Sequence, residues 1–307
     1  MEKIVTIGGG TGQFQILKGL RDCECEITAI TNVSDNGGSS GKLIDEYGIL
    51  PPGDIRQCLV ALASKKDEKI LRELFNYRLK DGHSMGNLII TALADISGGF
   101  ISGVRETGKL LNISGQVLPV SSNKFKIYAE TTDGKILNGE EAVSYSQENS
   151  RIKRLFAKEK VFLLKDAGEA IRNADKIVIC AGDLYGSILP NFLVNGILEA
   201  LQESSAKKIY VCNLFTKKNT EGFKAKNFVE EIEKYSQIKL DRIIVNSRNP
   251  SSEVLKKYIE EYSLFVEDDL GEDSRVIRGD YVAEYPFERK TIFRHVPEKI
   301  AQAILEI

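Results

Sequence analysis

Two glycine-rich segments hold the residues whose types and spacing suit phosphate chemistry. Gly8-Gly9-Gly10-Thr11-Gly12 follows the apolar run Ile4-Val5-Thr6-Ile7 and precedes Phe14, Ile16, Leu17 and Leu20 at helical spacing. That strand-turn-helix order aims backbone N–H groups and a helix N-terminus at an anion, and the missing side chains let a phosphate come close. The spacing is not a dinucleotide fingerprint: G-x-G-x-x-G counted from Gly8 needs glycine at Gln13, and no acidic residue ends the second strand. A tight turn without a ligand is the plainer alternative. The second segment, Asp35-Asn36-Gly37-Gly38-Ser39-Ser40-Gly41, imitates a P-loop but has Asn36 where that motif needs glycine and Leu43 where it needs the hydroxyl that holds magnesium. It keeps a carboxylate, an amide and two hydroxyls able to bond a diphosphate or a sugar.

Further residues fall at segment ends where ligands bind. Pro51-Pro52-Gly53-Asp54-Ile55-Arg56 closes the loop from Ser34 to Gly53, and Asp54 reads as a helix N-cap before Leu59 and Leu62. Brought together, Asp35 and Asp54 would suit a magnesium ion that keeps several waters. Gly82-His83-Ser84-Met85-Gly86 matches G-x-S-x-G, with Asp183 and His295 following in the chain order of a hydrolase triad. Asn76 to Asp81 is too polar for the buried strand that such an elbow requires, and Asn87 reads instead as an amide at a helix start. Gly182 to Asn191, with Asp183, is another loop after a strand; Asn32, Asn213 and Asn246 close strands, as ligand contacts or as loop caps. Arg294, beside His295, could supply charge to a phosphate.

The elements that must position these residues alternate. Buried strands are expected at Ile4 to Ile7, Glu26 to Val33, Val161 to Leu164, Lys176 to Ala181, Lys208 to Leu214 and Arg242 to Asn246. Helices are expected between and after them, including Ala167 to Ala174, Asn191 to Glu203, Phe223 to Tyr235 and Ser252 to Glu261. This is the pattern of an α/β, Rossmann-like, doubly wound, mostly parallel sheet. Asp54 to Leu111 reads as helical, and Val117 to Gly139 as a β excursion with a hairpin at Thr132-Asp133-Gly134-Lys135. One large domain over residues 1–307 with an insertion at about 54–150 is therefore expected.

Composition narrows the classes. The 307 residues are 42% hydrophobic and 28% charged, within the globular range, and a formal net charge of −2 argues against a nucleic-acid partner. Five scattered cysteines with no C-x-x-C pair suggest neither disulfides nor a zinc site, so a reducing cytoplasm is expected. No apolar stretch approaches the ~20 residues of a membrane span, and no signal peptide opens the chain.

Taken together, Gly8 to Gly12, Ser34 to Gly41, Pro51 to Arg56, His83-Ser84-Met85-Gly86-Asn87-Leu88, Leu184 to Asn191, Val211-Cys212-Asn213-Leu214 and Arg294-His295 resemble the gluconeogenesis factor (YvcK-like) family, related to 2-phospho-L-lactate transferase. The resemblance runs over essentially the whole chain. It implies a Rossmann-like core that binds a UDP-sugar such as UDP-N-acetylglucosamine, and a cytoplasmic role in cell shape and growth on gluconeogenic carbon sources. Protein partners in cell-wall synthesis and a homo-oligomer belong to the same expectation. The contact set expected from residues and resemblance is Gly9, Gly10, Thr11 and Gly12; Asp35, Asn36, Gly37, Gly38, Ser39 and Ser40; Gly53 and Asp54; and Asn87, Asn191, Asn213 and Arg294. In the related transferases two aspartates hold Mg2+ near the transferred phosphate, and Asp35 and Asp54 stand at the matching positions. The alternatives are thus a UDP-sugar-binding regulator, a magnesium-dependent phospho-group transferase and, more remotely, a serine hydrolase on Ser84. The chain departs from the family in two loops. It has Cys180-Ala181-Gly182-Asp183-Leu184-Tyr185-Gly186-Ser187 for the usual Gly-Pro-Gly-Ser-Leu-Tyr-Thr-Ser, and Thr216 to Thr220 lacks the usual Gly-Glu-Thr.

Overall fold

A computed structural model describes residues 1–34, 41, 43, 46–64, 68–80, 82–145, 150–287 and 290–307. Its centre is a seven-stranded sheet, β1 (Glu2–Gly8), β2 (Cys25–Thr31), β3 (Gln116–Pro119), β7 (Lys176–Ile179), β8 (Lys207–Val211), β9 (Arg242–Asn246) and β10 (Val276–Gly279), in the order β10-β9-β8-β7-β1-β2-β3. Every pairing in it is parallel. The order reverses between β1 and β7, the topological switch point of a doubly wound sheet. The fold class expected from the sequence is the one observed.

Strand pleating divides the core in two. Val5, Ile177, Ile179, Tyr210 and Ile243 face α7 (Lys165–Arg172), α8 (Ile197–Glu203) and α9 (Ala225–Ser236). Their sequence neighbours Ile4, Val178, Ile209, Val211 and Ile244 face α1 (Gly10–Leu20), α2 (Gly53–Leu62), α5 (Phe100–Leu110) and α11 (Pro297–Leu305). With both faces covered, the central strands read as continuous apolar runs.

The segment from Asp54 to Leu111 is helical, as α2, α3 (Glu68–Asn76), α4 (Met85–Ile96) and α5. Asp54 is not the N-cap of α2: Pro52 holds that position, and Asp54 lies in the first turn, where its charge still suits the helix dipole. The β excursion divides. β3 joins the main sheet beside β2, whereas β4 (Ile127–Thr131) and β5 (Ile136–Asn138) form the expected hairpin. Gly134 takes φ +85° in its turn. β6 (Ile152–Ala157), not anticipated from the sequence, pairs with β4 and completes a separate three-stranded sheet. That sheet carries α6 (Glu140–Tyr145).

Val161 to Leu164 is not a strand. It makes only isolated bridges, since its backbone groups are spent on loops: Leu163 N–H donates to Asn195 O and Leu164 N–H to Val120 O. The helix expected from Asn191 starts only at Ile197, because Gly182 to Val194 turns through a π-helical turn (Leu184–Ile188) and a 3-10 turn (Leu189–Leu193) containing Pro190. α10 (Ser252–Glu260) forms where a helix was expected, whereas β10 and the hairpin of β11 (Val282–Phe287) with β12 (Lys290–His295), which delivers Arg294 and His295 to the sheet's carboxyl edge, were not anticipated.

Candidate functional site

A crevice of about 390 Å³ opens outside the carboxyl ends of β1, β7 and β8, at the switch point. Open α/β sheets bind ligands in this place because two crossover helices diverge there to opposite faces. Its walls are Gly9 to Gly12, Gln15 and Asp54; Ala181 to Asp183 and Ser187; Asn213 to Lys217; Tyr258, Glu261 and Ser263; and Arg294 with His295.

The first wall is built by close packing. Gly9 caps α1 in extended conformation with no side-chain cap, which leaves the first N–H groups of α1 at the crevice. A Cβ on Gly12 would stand 1.6 Å from Ala181 O, so α1 approaches the turn after β7 this closely only with glycine there. A Cβ on Gly9 would meet Ser187 Cβ at 2.5 Å and Asp54 Oδ2 at 2.9 Å, and one on Gly10 would meet Asp54 Oδ1 at 2.8 Å. The Asp54 carboxylate therefore lies against the start of α1, where the dipole favours it. Gln13, at the position where a dinucleotide fingerprint has its third glycine, is fully buried. Its Nε2 donates to Thr6 Oγ1 at 2.6 Å and to Ile30 O at 3.3 Å, bonding α1 to two strands.

The opposite wall centres on Asp183, whose side chain is 4% exposed. It accepts from Lys217 Nζ (3.0 Å), Gly186 N–H (3.0 Å) and Asn219 Nδ2 (3.1 Å). Burial works against its charge, but Lys217 and these donors prevail and hold its pKa below the usual carboxylate value. Burial likewise opposes the Lys217 charge and is outweighed by Asp183, which raises the lysine pKa. His295 is buried, and that burial with the neighbouring Arg294 charge lowers it to about 4, so it is neutral at pH 7. Burial raises Cys58 and Cys180 and pushes Cys212 up to about 12, which makes these thiols poor nucleophiles. Sequence spacing gave no sign of the third feature: Phe215, after β8, stacks on Tyr258 of α10 with centroids 3.8 Å apart, an aromatic wall made by residues far apart in the chain.

The crevice gathers Gly9, Gly10, Thr11, Gly12, Asp54, Asn213 and Arg294 from the expected set, and adds Asp183, Ser187, Lys217 and His295. Asn213 acts as a brace: its Nδ2 donates to Gly182 O at 2.6 Å, while Tyr210 Oη donates to its Oδ1 at 2.8 Å. Asn32 donates to Gly186 O, and Asn246 to Arg248 O, so the strand-closing amides hold loops. Asn191 is fully buried and donates to Ser187 O and Ile188 O. Gly53 begins α2, and Asn87 is buried in the first turn of α4; neither lines the crevice. Asp35, Asn36, Gly37, Gly38, Ser39 and Ser40 lie outside the described residues.

The triad expected of a serine hydrolase does not assemble. Ser84 is the N-cap of α4, 1% exposed, its Oγ accepting from Asn87 N–H at 3.2 Å. It follows no strand and does not line the crevice that Asp183 and His295 share, and Asp183 is committed to Lys217. Among the described residues no three His, Cys, Asp or Glu side chains cluster as a metal site, and no single helix is long and apolar enough to cross a membrane.

The family model of the 2-phospho-L-lactate transferase CofD matches residues 4–282. A Thermotoga maritima protein provisionally named a gluconeogenesis factor is 41% identical over 314 residues, covering 99% of both chains. The gluconeogenesis factor of Bacillus subtilis is 38% identical over 318 residues, covering 99% of this chain and 98% of its own. The crystal structure of protein BH3568 from Bacillus halodurans superposes with a TM-score of 0.92 at 38% identity, covering 99% of both chains. The chain therefore belongs to the 2-phospho-L-lactate transferase CofD family, alongside the relatives named gluconeogenesis factor.

Proposed function

We propose that the crevice binds a nucleotide sugar, a UDP-sugar such as UDP-N-acetylglucosamine, and that the protein acts in the cytoplasm as a regulator of cell shape during growth on gluconeogenic carbon sources. The reading rests on one observation: the α1 N-terminus, without a side-chain cap, opens on a crevice at the switch point that Arg294 and an aromatic wall also line. The diphosphate sits on the Gly9, Gly10 and Thr11 amides, and Arg294 adds a bidentate cation. Isothermal calorimetry with UDP-N-acetylglucosamine tests this. Saturable binding supports it, and a folded protein that takes up no heat at millimolar ligand ends it.

A second reading, a magnesium-dependent phospho-group transferase, is favoured by the charge of the walls. Among the described lining residues Asp54, Asp183 and Glu261 outnumber Lys217 and Arg294, so a diphosphate entering alone meets a net negative surface. Magnesium binds through one or two carboxylates together with substrate phosphates and waters, and Asp54 against the start of α1 fits that part. When bound, the ion would neutralise phosphate charge. Under this reading nucleotide affinity rises with Mg2+ in the wild type, and Asp54→Asn abolishes the dependence; an affinity indifferent to Mg2+ counts against it.

A further inference from the structure

We propose that Lys217 is a ligand-binding cation of the crevice, held ready by Asp183, and that it pairs with an anionic oxygen of a bound diphosphate. This rests on the nucleotide-sugar reading for the identity of the ligand, but not for the chemistry of the contact.

Three observations support it. Lys217 and Arg294 are the two cationic side chains among the described lining residues, in a crevice whose carboxylates outnumber them. A charge-assisted hydrogen bond from either cation strengthens the hold on an anionic ligand there. The second observation is the unequal burial of the Asp183–Lys217 pair: the aspartate side chain is 4% exposed and the lysine side chain 42%. Removing the partner of a buried charge is normally very unfavourable. Asp183 is protected from that, because Gly186 N–H and Asn219 Nδ2 continue to bond it. Lys217 can thus turn to a ligand without leaving an unsatisfied carboxylate behind. Third, the π-helical turn joins the two anion-attracting features. Asp183 at its start holds Lys217, and Ser187 near its end packs against Gly9 at the α1 N-terminus.

The ion pair ties the turn after β7 to the segment after β8, with Asp183 as the positioning residue of Lys217.

The experiment compares wild type, Lys217→Gln, Lys217→Arg and Lys218→Gln by calorimetry, with UDP-N-acetylglucosamine and with inorganic pyrophosphate, at two salt concentrations. Lys218 pairs with Glu221 outside the crevice and serves as the control. Lys217→Gln should weaken binding of both probes by roughly ten- to hundredfold, as loss of a charge-assisted hydrogen bond does. It should also flatten the salt dependence, while Lys217→Arg restores most of the affinity and Lys218→Gln matches wild type. Thermal melts of each variant check that the crevice is intact. Lys217→Gln binding as tightly as wild type overturns the proposal and spares the nucleotide-sugar reading. Binding of pyrophosphate alone overturns that reading, and the Lys217 variants then decide the proposal on pyrophosphate. Binding of neither probe overturns both.

Discussion

The helix starts at Gly8 to Gly12 and at Gly82 to Gly86 look alike on paper: glycines flank a hydroxyl residue before an apolar helix. Their surroundings differ. At α1 the cap is a glycine and the helix start opens on the crevice, with glycines pressed against Ala181, Ser187 and Asp54. At α4 the Ser84 hydroxyl accepts from Asn87 N–H, and a Cβ on Gly86 would strike Phe75 and the Arg56 stem. A helix N-terminus becomes a candidate anion site when its donors face a cavity; a side chain that satisfies them inside the protein removes that opportunity.

Glycine substitutions test the contrast most severely. Gly12→Ala drives a methyl group into the Ala181 carbonyl and should destabilise the fold by about 3 kcal/mol or more in chemical denaturation, since backbone must move. Gly82→Ala meets open space and has only its φ of +90° to strain it, about 1–2 kcal/mol. Equal losses at the two positions would dissolve the comparison.

The crevice also has a pH signature. His295 has a folded pKa of about 4 against an ordinary 6.5, so the unfolded chain takes up this proton first as pH falls. The contribution of this group is complete above about pH 6.5 and is lost progressively toward pH 4, on the order of 3 kcal/mol at the acid end. Denaturation midpoints across that range should fall in wild type and fall less in His295→Gln; parallel curves would show the histidine to be uninvolved.

Smaller effects sharpen the division of labour. Arg294→Gln should lower UDP-N-acetylglucosamine affinity roughly tenfold or more with little change in stability, because it removes a charged contact at the crevice wall. Ser84→Ala should do the reverse. It should reduce stability by about 1 kcal/mol, the usual effect of losing an N-cap, and leave affinity unchanged. Wild-type labelling by a fluorophosphonate at Ser84 would contradict its role as a cap.

Much of this was legible in the residues. Apolar runs bounded by glycine and asparagine marked β1, β2, β7, β8 and β9, because a strand buried on both faces must be apolar throughout. Val161 to Leu164 misled for the same reason: its side chains are those of a strand, but its N–H groups bond to loops, which composition does not record. Asp54 looked like a cap because aspartate suits either the cap or the first turn, and only the backbone distinguishes them.

The sequence by itself determined the alternation of elements, the parallel sheet and the glycine turn after β1, since these follow from local periodicity and from what glycine permits. Only the tertiary structure decided which polar residues share a space. Ser84 and Asn87 were drawn into the packing of α4, while Lys217 and Tyr258, with little to mark them along the chain, were brought with His295 to one crevice. The reason is geometric: a switch-point site is assembled from the ends of strands that neighbour one another in the sheet, and that adjacency comes from pairing between distant segments, which no local pattern encodes.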